Sequence, residues 1–314
     1  MSPNQSKTTA SEQEAQEPPG SWQYVYSPPC DCSSCMAAYN RAATGQDGCD
    51  DDCDDCDDSD YAEVHDAESY IKDPSFKPVP MMHGEGPLYL GMELELEVGE
   101  GGRGDCAYLA DGWLADLGYL KEDGSLDDGF EIVTQPMSFT WAMENFPWRM
   151  LRDLRDCGCW TPDNTGIHIH LSRAGFADDL HRYRWLKFIY RNQADVTTFA
   201  GRVSETYARF TPDERALVNA ELKGKTPSDY RYRAVNLCNE DTFELRVFAS
   251  SLDVATVQAF LAFADASVRY TQDLTVADIR HHGGWSWNAF RTWTAQRPQY
   301  TALDERMRRL TCAS

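Results

Sequence analysis

Four short stretches of this chain alternate strictly between apolar and polar residues, and their polar groups are of one kind. In "GMELELEV", residues 91–98, Met92, Leu94, Leu96 and Val98 take one parity; Glu93, Glu95 and Glu97 take the other. Strand side chains point alternately to the two faces of a sheet. This is therefore a strand with one apolar face and a row of carboxylates on the other. In "GIHIHLS", 166–172, His168 and His170 share a face opposite Ile167, Ile169 and Leu171. In "FELRVF", 243–248, Glu244 and Arg246 share a face opposite Phe243, Leu245 and Val247. In "KEDGSLDDGFEIVT", 121–134, Asp123 sits in a turn and Glu131 opens the strand that follows.

Taken singly, each stretch is accounted for by a wet outer sheet face or a hydrogen-bonded histidine. Glu, however, is a poor strand former, and like charges on one face repel unless something positive lies between them. Taken together, four strands with such groups on one side predict a sheet with a chemical face. Carboxylates with imidazole ligate divalent cations, and an Arg among them holds phosphate oxygens.

The rest of the pattern supplies helices. The spacing predicts helices over 105–117, 138–156 (bent or restarted at Pro147), 178–200 and 253–271. "TPDE", 211–214, is a capping box with Pro at the first helical position, for a helix ending at Gly224. "YRYRAVNL" and "TFELRVF" read as a hairpin across "CNED". Strands and helices intersperse without regular βαβ alternation, so the expected class is α+β with an antiparallel sheet.

Charge divides the chain. Residues 1–87 hold 18 acidic and 4 basic side chains, the other 227 hold 33 and 25, and the whole 314-residue chain carries −22. Nonspecific nucleic-acid binding needs clustered Lys and Arg, so this balance argues against it. No apolar run approaches a membrane span, and "MSPNQSKTTASEQEAQEPPGS" lacks the apolar core of a signal peptide. We therefore expect a cytoplasmic protein with no membrane partner. Residues 1–87 read as a largely disordered acidic tail, and 88–314 as the globular domain. Six of the eleven cysteines lie in that tail. Cys30, Cys32 and Cys35 form one cluster; Cys49, Cys53 and Cys56 form the other. Their spacing allows a structural Zn²⁺ site or plain thiols.

"GMELELE", "KEDGSL…GFEIVTQPMS", "GIHIHLSR" and "RYRAVNL…TFELRVF" resemble, in order, the motifs of the amidoligase family. That family belongs to the glutamine synthetase-like carboxylate–amine ligases, with glutamate–cysteine ligase as a relative. The likeness covers residues 88–270. It implies a curved antiparallel sheet, with helices packed on one side, whose other face binds ATP and two or three Mg²⁺. ATP would activate a carboxylate as an acyl phosphate, and an amine would displace phosphate to form an amide or peptide bond. By position, the resemblance implies that Glu93, Glu95, Glu131, His168 and Glu244 hold metal. It implies catalytic roles for Arg246, Glu131 and Asp123. Arg231, Arg233, Asn236, Lys121 and His170 would contact the nucleotide or its phosphates, and which of His168 and His170 ligates metal stays open. Substrates would be small-molecule or peptide carboxylates and amines.

Two other readings compete. A strand His-x-His with downstream acids is also a layout for a metal-dependent hydrolase, which would draw further ligands from His181, His281 or His282. A non-enzymatic acidic protein would instead dock a basic partner through its tail.

Overall fold

The computed structural model describes residues 66–99, 102–203, 208–210 and 233–313. The tail cysteines with their zinc reading, the helix expected after "TPDE", and Arg231 lie outside these residues.

The alternating stretches form the middle of one sheet. Its strands are β1 (Ile71–Lys72), β2 (Leu90–Val98), β3 (Gly118–Lys121), β4 (Gly129–Thr134), β5 (Cys159–Trp160), β6 (Gly166–Ser172), β7 (Val235–Asn236) and β8 (Thr242–Ala249). The order is β1-β3-β4-β2-β6-β8-β7, and β5 pairs the far end of β2. Every pair is antiparallel except β1 with β3. The class is α+β with a mostly antiparallel sheet, as the pattern predicts.

Parity decides which face is dry. Leu94, Leu96, Ile132, Ile167, Ile169 and Leu245 are fully buried. Above them packs α7 (Val254–Asp273), capped by the Asp253 carboxylate, which accepts from Thr256 N–H at 2.9 Å. The ring of Phe248 stacks on that of Phe260, with centroids 4.5 Å apart. Burying one such side chain contributes roughly 1.5–3 kcal/mol, so a one-residue slip of register would expose the whole set. The other helices are α1 (Ala67–Tyr70), α2 (Arg103–Leu114), α3 (Phe139–Asn145), α4 (Arg149–Asp156), α5 (Asp179–Arg191), α6 (Gln193–Ala200), α8 (Val276–His281), α9 (Trp287–Ala295) and α10 (Thr301–Ala313).

One local reading needs correction. The helix expected over 178–200 is two, α5 and α6, broken at Asn192, whose φ −97° and ψ 30° leave the helical region. Residues 66–87, at the end of the segment read as a largely disordered tail, carry α1 and β1, and β1 extends the sheet beside β3. A two-residue strand in a Pro-rich segment has too few residues to show a period. Val247 is buried in the core, beside an irregularity that the alternation does not show. Ile169 pairs Leu245 but Ile167 pairs Phe248, so β8 carries one extra residue there. That bulge shifts the phase, and it brings Phe248 to the face that meets α7.

Candidate active site on the acidic face of the sheet

Cross-strand register assembles the polar face in three rows. Lys121, Glu131 and Glu95 lie side by side across β3, β4 and β2. Tyr119, Val133, Glu93 and His168 form the next row, across β3, β4, β2 and β6. Gly91, His170, Glu244 and Asn236 form the third, across β2, β6, β8 and β7. Directly opposed residues share a face, so four separate stretches of sequence converge on one surface.

The side chains are in contact. His168 Nδ1 lies 3.2 Å from Glu93 Oε2 and 3.7 Å from Glu244 Oε1, and its Nε2 lies 3.5 Å from Glu95 Oε1. His170 Nε2 lies 3.1 Å from Glu93 Oε1. Lys121 Nζ is 3.8 Å from Glu131 Oε2. Asp123 occupies the turn between β3 and β4, where its carboxylate accepts from Ser125 N–H at 2.7 Å. Glu95, Glu131, His168 and Glu244 are each buried to within 5% exposure. That is a costly concentration of charge unless partners satisfy it.

The partners differ from group to group. Burial pushes the Glu93 carboxyl up, but the charge of His170 and a hydrogen bond from His168 outweigh it and hold it well below the usual carboxylate range. Burial likewise opposes the charged form of Glu244, and His170 with Arg246 more than offsets it. Glu131 lacks such compensation. Burial, then the Glu93 charge, push it up to about 9, with Lys121 pulling the other way. Burial and the same two carboxylates, Glu93 and Glu131, raise the Tyr119 phenol to about 12.

Divalent cations fit this donor set. Among the described residues, three sets bring one ligand atom each to within 4.8 Å of the others: Glu93, Glu131 and His168; Glu93, His170 and Glu244; Glu95, Asp123 and Glu131. Glu93 and Glu131 each belong to two sets, as bridging carboxylates between neighbouring ions would. Among the described residues, buried His170 Nε2 has no hydrogen-bond partner, although it stands against Glu93. A buried polar atom of that kind is stable with a cation in front of it. Both histidines therefore stand in candidate ligand sets.

Five residues have structural partners of their own. Glu97 has the parity of the site but accepts the backbone N–H of Asp127 at 2.8 Å and of Asp128 at 2.9 Å, which fixes the turn carrying Asp123. Asn236, expected at the nucleotide, donates to Glu244 Oε2 at 2.8 Å, and Asn239 donates to the same atom at 3.2 Å. Arg246 donates to Glu244 Oε1 from within the bulged part of β8. Arg233 is buried at the sheet edge, where its backbone bridges to Arg209. His181, a possible ligand on the hydrolase reading, is in the core. It accepts from Ala177 N–H at 3.1 Å and contacts the Val268 carbonyl at 2.9 Å.

A cleft of about 540 Å³ opens beside this face. Its lining includes Glu93, His170, Gly91, Tyr119, Pro80 and Met82. The segment before β2 thus supplies part of the site. Tyr119 and Thr242 were missed by sequence reasoning, although each sits two residues from a predicted site residue on the same parity.

No protein-family model and no curated protein sequence matches the chain. Among solved structures, a bifunctional glutathione synthetase from Pasteurella multocida is 11% identical with a TM-score of 0.39, over 72% of this chain and 47% of that one. GmaS, solved without ligand, is 12% identical with a TM-score of 0.37, over 72% of this chain and 69% of that one. The chain thus spans under half the length of that glutathione synthetase. No described helix is long and apolar enough to cross a membrane.

Proposed function

We propose that this protein is an ATP-dependent carboxylate–amine ligase that forms an amide or peptide bond through an acyl phosphate. One observation carries the reading: three cation-ligand sets that share Glu93 and Glu131, beside a cleft of nucleoside size. The order of the sequence motifs supports the same chemistry.

Glu93, Glu95, Asp123, Glu131, His168, His170 and Glu244 would hold two or three Mg²⁺. The ions would neutralise charge along the triphosphate and on the phosphoryl group in transfer. The cleft would seat the nucleoside, with Tyr119, Pro80 and Met82 offering apolar contact and the phosphates lying toward Glu93 and His170. Lys121 and Arg246 would meet phosphate oxygens from opposite sides of the face, and Arg233 and Arg231 stand in the same stretch of sequence as expected phosphate contacts. Asn236 would act through Glu244, whose carboxylate it orients.

In the first step a carboxylate oxygen bonds to the γ-phosphorus and the bond to ADP breaks. In the second an amine nitrogen bonds to the acyl carbon, loses a proton, and phosphate leaves with the former carboxylate oxygen. Arg246 offers a planar fork to oxygens of the phosphoryl group, which a Lys cannot reproduce. Buried donors of fixed position are worth most where charge develops in the transition state.

The test is trapping. The protein is incubated with Mg²⁺, ATP, hydroxylamine and pooled amino acids, peptides and other carboxylates. The reading predicts a hydroxamate formed one-for-one with phosphate. Bound Mg·ATP with no ATP-dependent hydroxamate from any pool would reject the ligase chemistry.

A further inference from the structure

His170 and Thr242 make the contact that sets how this histidine meets a cation. His170 Nδ1 lies 3.1 Å from Thr242 Oγ1. Thr242 opens β8 opposite Ser172, and His170 pairs Glu244 two residues on, so neighbouring positions of one ladder bring hydroxyl and imidazole together. On the other side of the ring, Nε2 is buried, lacks a hydrogen-bond partner among the described residues and lies 3.1 Å from Glu93 Oε1. His170 belongs with Glu93 and Glu244 in one of the three ligand sets.

We infer that Thr242 is a positioning residue: its hydroxyl accepts the Nδ1 proton of His170, so that Nε2 keeps its lone pair for a divalent cation shared with Glu93 and Glu244. A neutral imidazole carries one proton, and the partner at one nitrogen decides what the other can do. A carboxylate of Glu93 stands against Nε2, whereas the described contact of Nδ1 is the Thr242 hydroxyl. Without the hydroxyl, the proton would reside on Nε2, where Glu93 accepts it, and the ring would turn from ligand to donor. Thr242, His170 and Glu93 also line the nucleoside-sized cleft, so a ligand seated there would touch both the ring and its hydroxyl. The inference rests on the cation reading above and names a residue that reading did not use.

Val replaces the hydroxyl of Thr with a methyl at nearly equal volume and keeps β-branching; Ser keeps the hydroxyl. Mn²⁺ affinity would be measured by electron paramagnetic resonance for the unaltered chain, Thr242→Val and Thr242→Ser, with thermal melting to show that each folds. A ¹⁵N spectrum of the Mg²⁺-loaded protein would report the His170 tautomer, assigned by its loss in His170→Gln. We expect Thr242→Val to weaken Mn²⁺ about tenfold to a hundredfold, as loss of an orienting partner does, and to shift the proton from Nδ1. Thr242→Ser should stay near the native value. Native affinity in Thr242→Val, or equal loss in Thr242→Ser, would overturn the role of the hydroxyl while leaving the cation site standing. An unaltered chain that binds no Mn²⁺ would overturn the cation reading and this inference with it.

Discussion

Glu95 and Glu131 face each other directly across β2 and β4, both buried, and with Asp123 they bring carboxylate oxygens to within 4.8 Å. Lys121 balances this pair from 3.8 Å on the Glu131 side only. The arrangement has a sign that pH reveals. Glu131 titrates near 9 in the folded chain against 4.5 for an ordinary glutamate. Between those values the unfolded chain has released the proton and the folded chain still holds it. Stability without divalent cations should therefore fall as pH rises through that window. Glu131→Gln should flatten the fall and raise the melting temperature at pH 8 in chelator. Saturating Mg²⁺ should do the same for the native chain, and melting curves across pH check both.

Arg246→Lys keeps the charge and loses the fork. Mg·ATP should bind nearly as before, and turnover should drop roughly tenfold to a thousandfold, as when a charge-stabilising donor is removed. An Arg serving only as the partner of the buried Glu244 would change stability and leave turnover intact. Phosphate release under single-turnover conditions separates the two.

Glu97→Ala should act at a distance. Its carboxylate holds the backbone of Asp127 and Asp128, so its loss leaves two N–H groups without their acceptor and loosens the turn that carries Asp123. The expected cost is roughly 1–3 kcal/mol of unfolding free energy, with weaker Mg²⁺ binding beside it. Denaturant unfolding and cation titration of the same variant read the two effects.

Gly129 begins β4 where a Cβ would stand 1.9 Å from the Leu96 carbonyl oxygen. Backbone cannot yield there as a side-chain tip can. Gly129→Ala should lose about 1–3 kcal/mol or more and disturb the β2–β4 register that pairs Glu95 with Glu131.

The four alternating stretches made this face legible because parity alone sorts a strand's residues, and cross-strand neighbours share a face. Glu93, Glu95, His168, His170, Glu131 and Glu244 follow from that rule. The rule cannot see which group is already engaged. Glu97 and Asn236 have the right parity and chemistry, yet one holds a turn and the other a carboxylate. Nor can it see a bulge, which is one uncounted residue between Leu245 and Phe248. Tyr119 and Thr242 were legible in principle, as same-parity neighbours of Lys121 and Glu244. Pro80 and Met82 were not, because their place at the cleft comes from chain path rather than period.

That path gives a truncation test. A chain beginning at Glu63 keeps α1, β1 and the cleft wall; one beginning at Leu88 loses β1, Pro80 and Met82. We expect the first to fold and keep any ATP-dependent activity. The second should bind ATP more weakly even where it folds, by calorimetry at fixed Mg²⁺.

The central claim is that Glu93 and Glu131 hold the divalent cations that hold ATP. Calorimetric titration of ATP with and without Mg²⁺, on the native chain and on Glu93→Gln and Glu131→Gln, tests it most directly. The account predicts Mg²⁺-dependent binding that weakens at least about tenfold in each variant. ATP affinity indifferent to Mg²⁺, or unchanged in both variants, would contradict it.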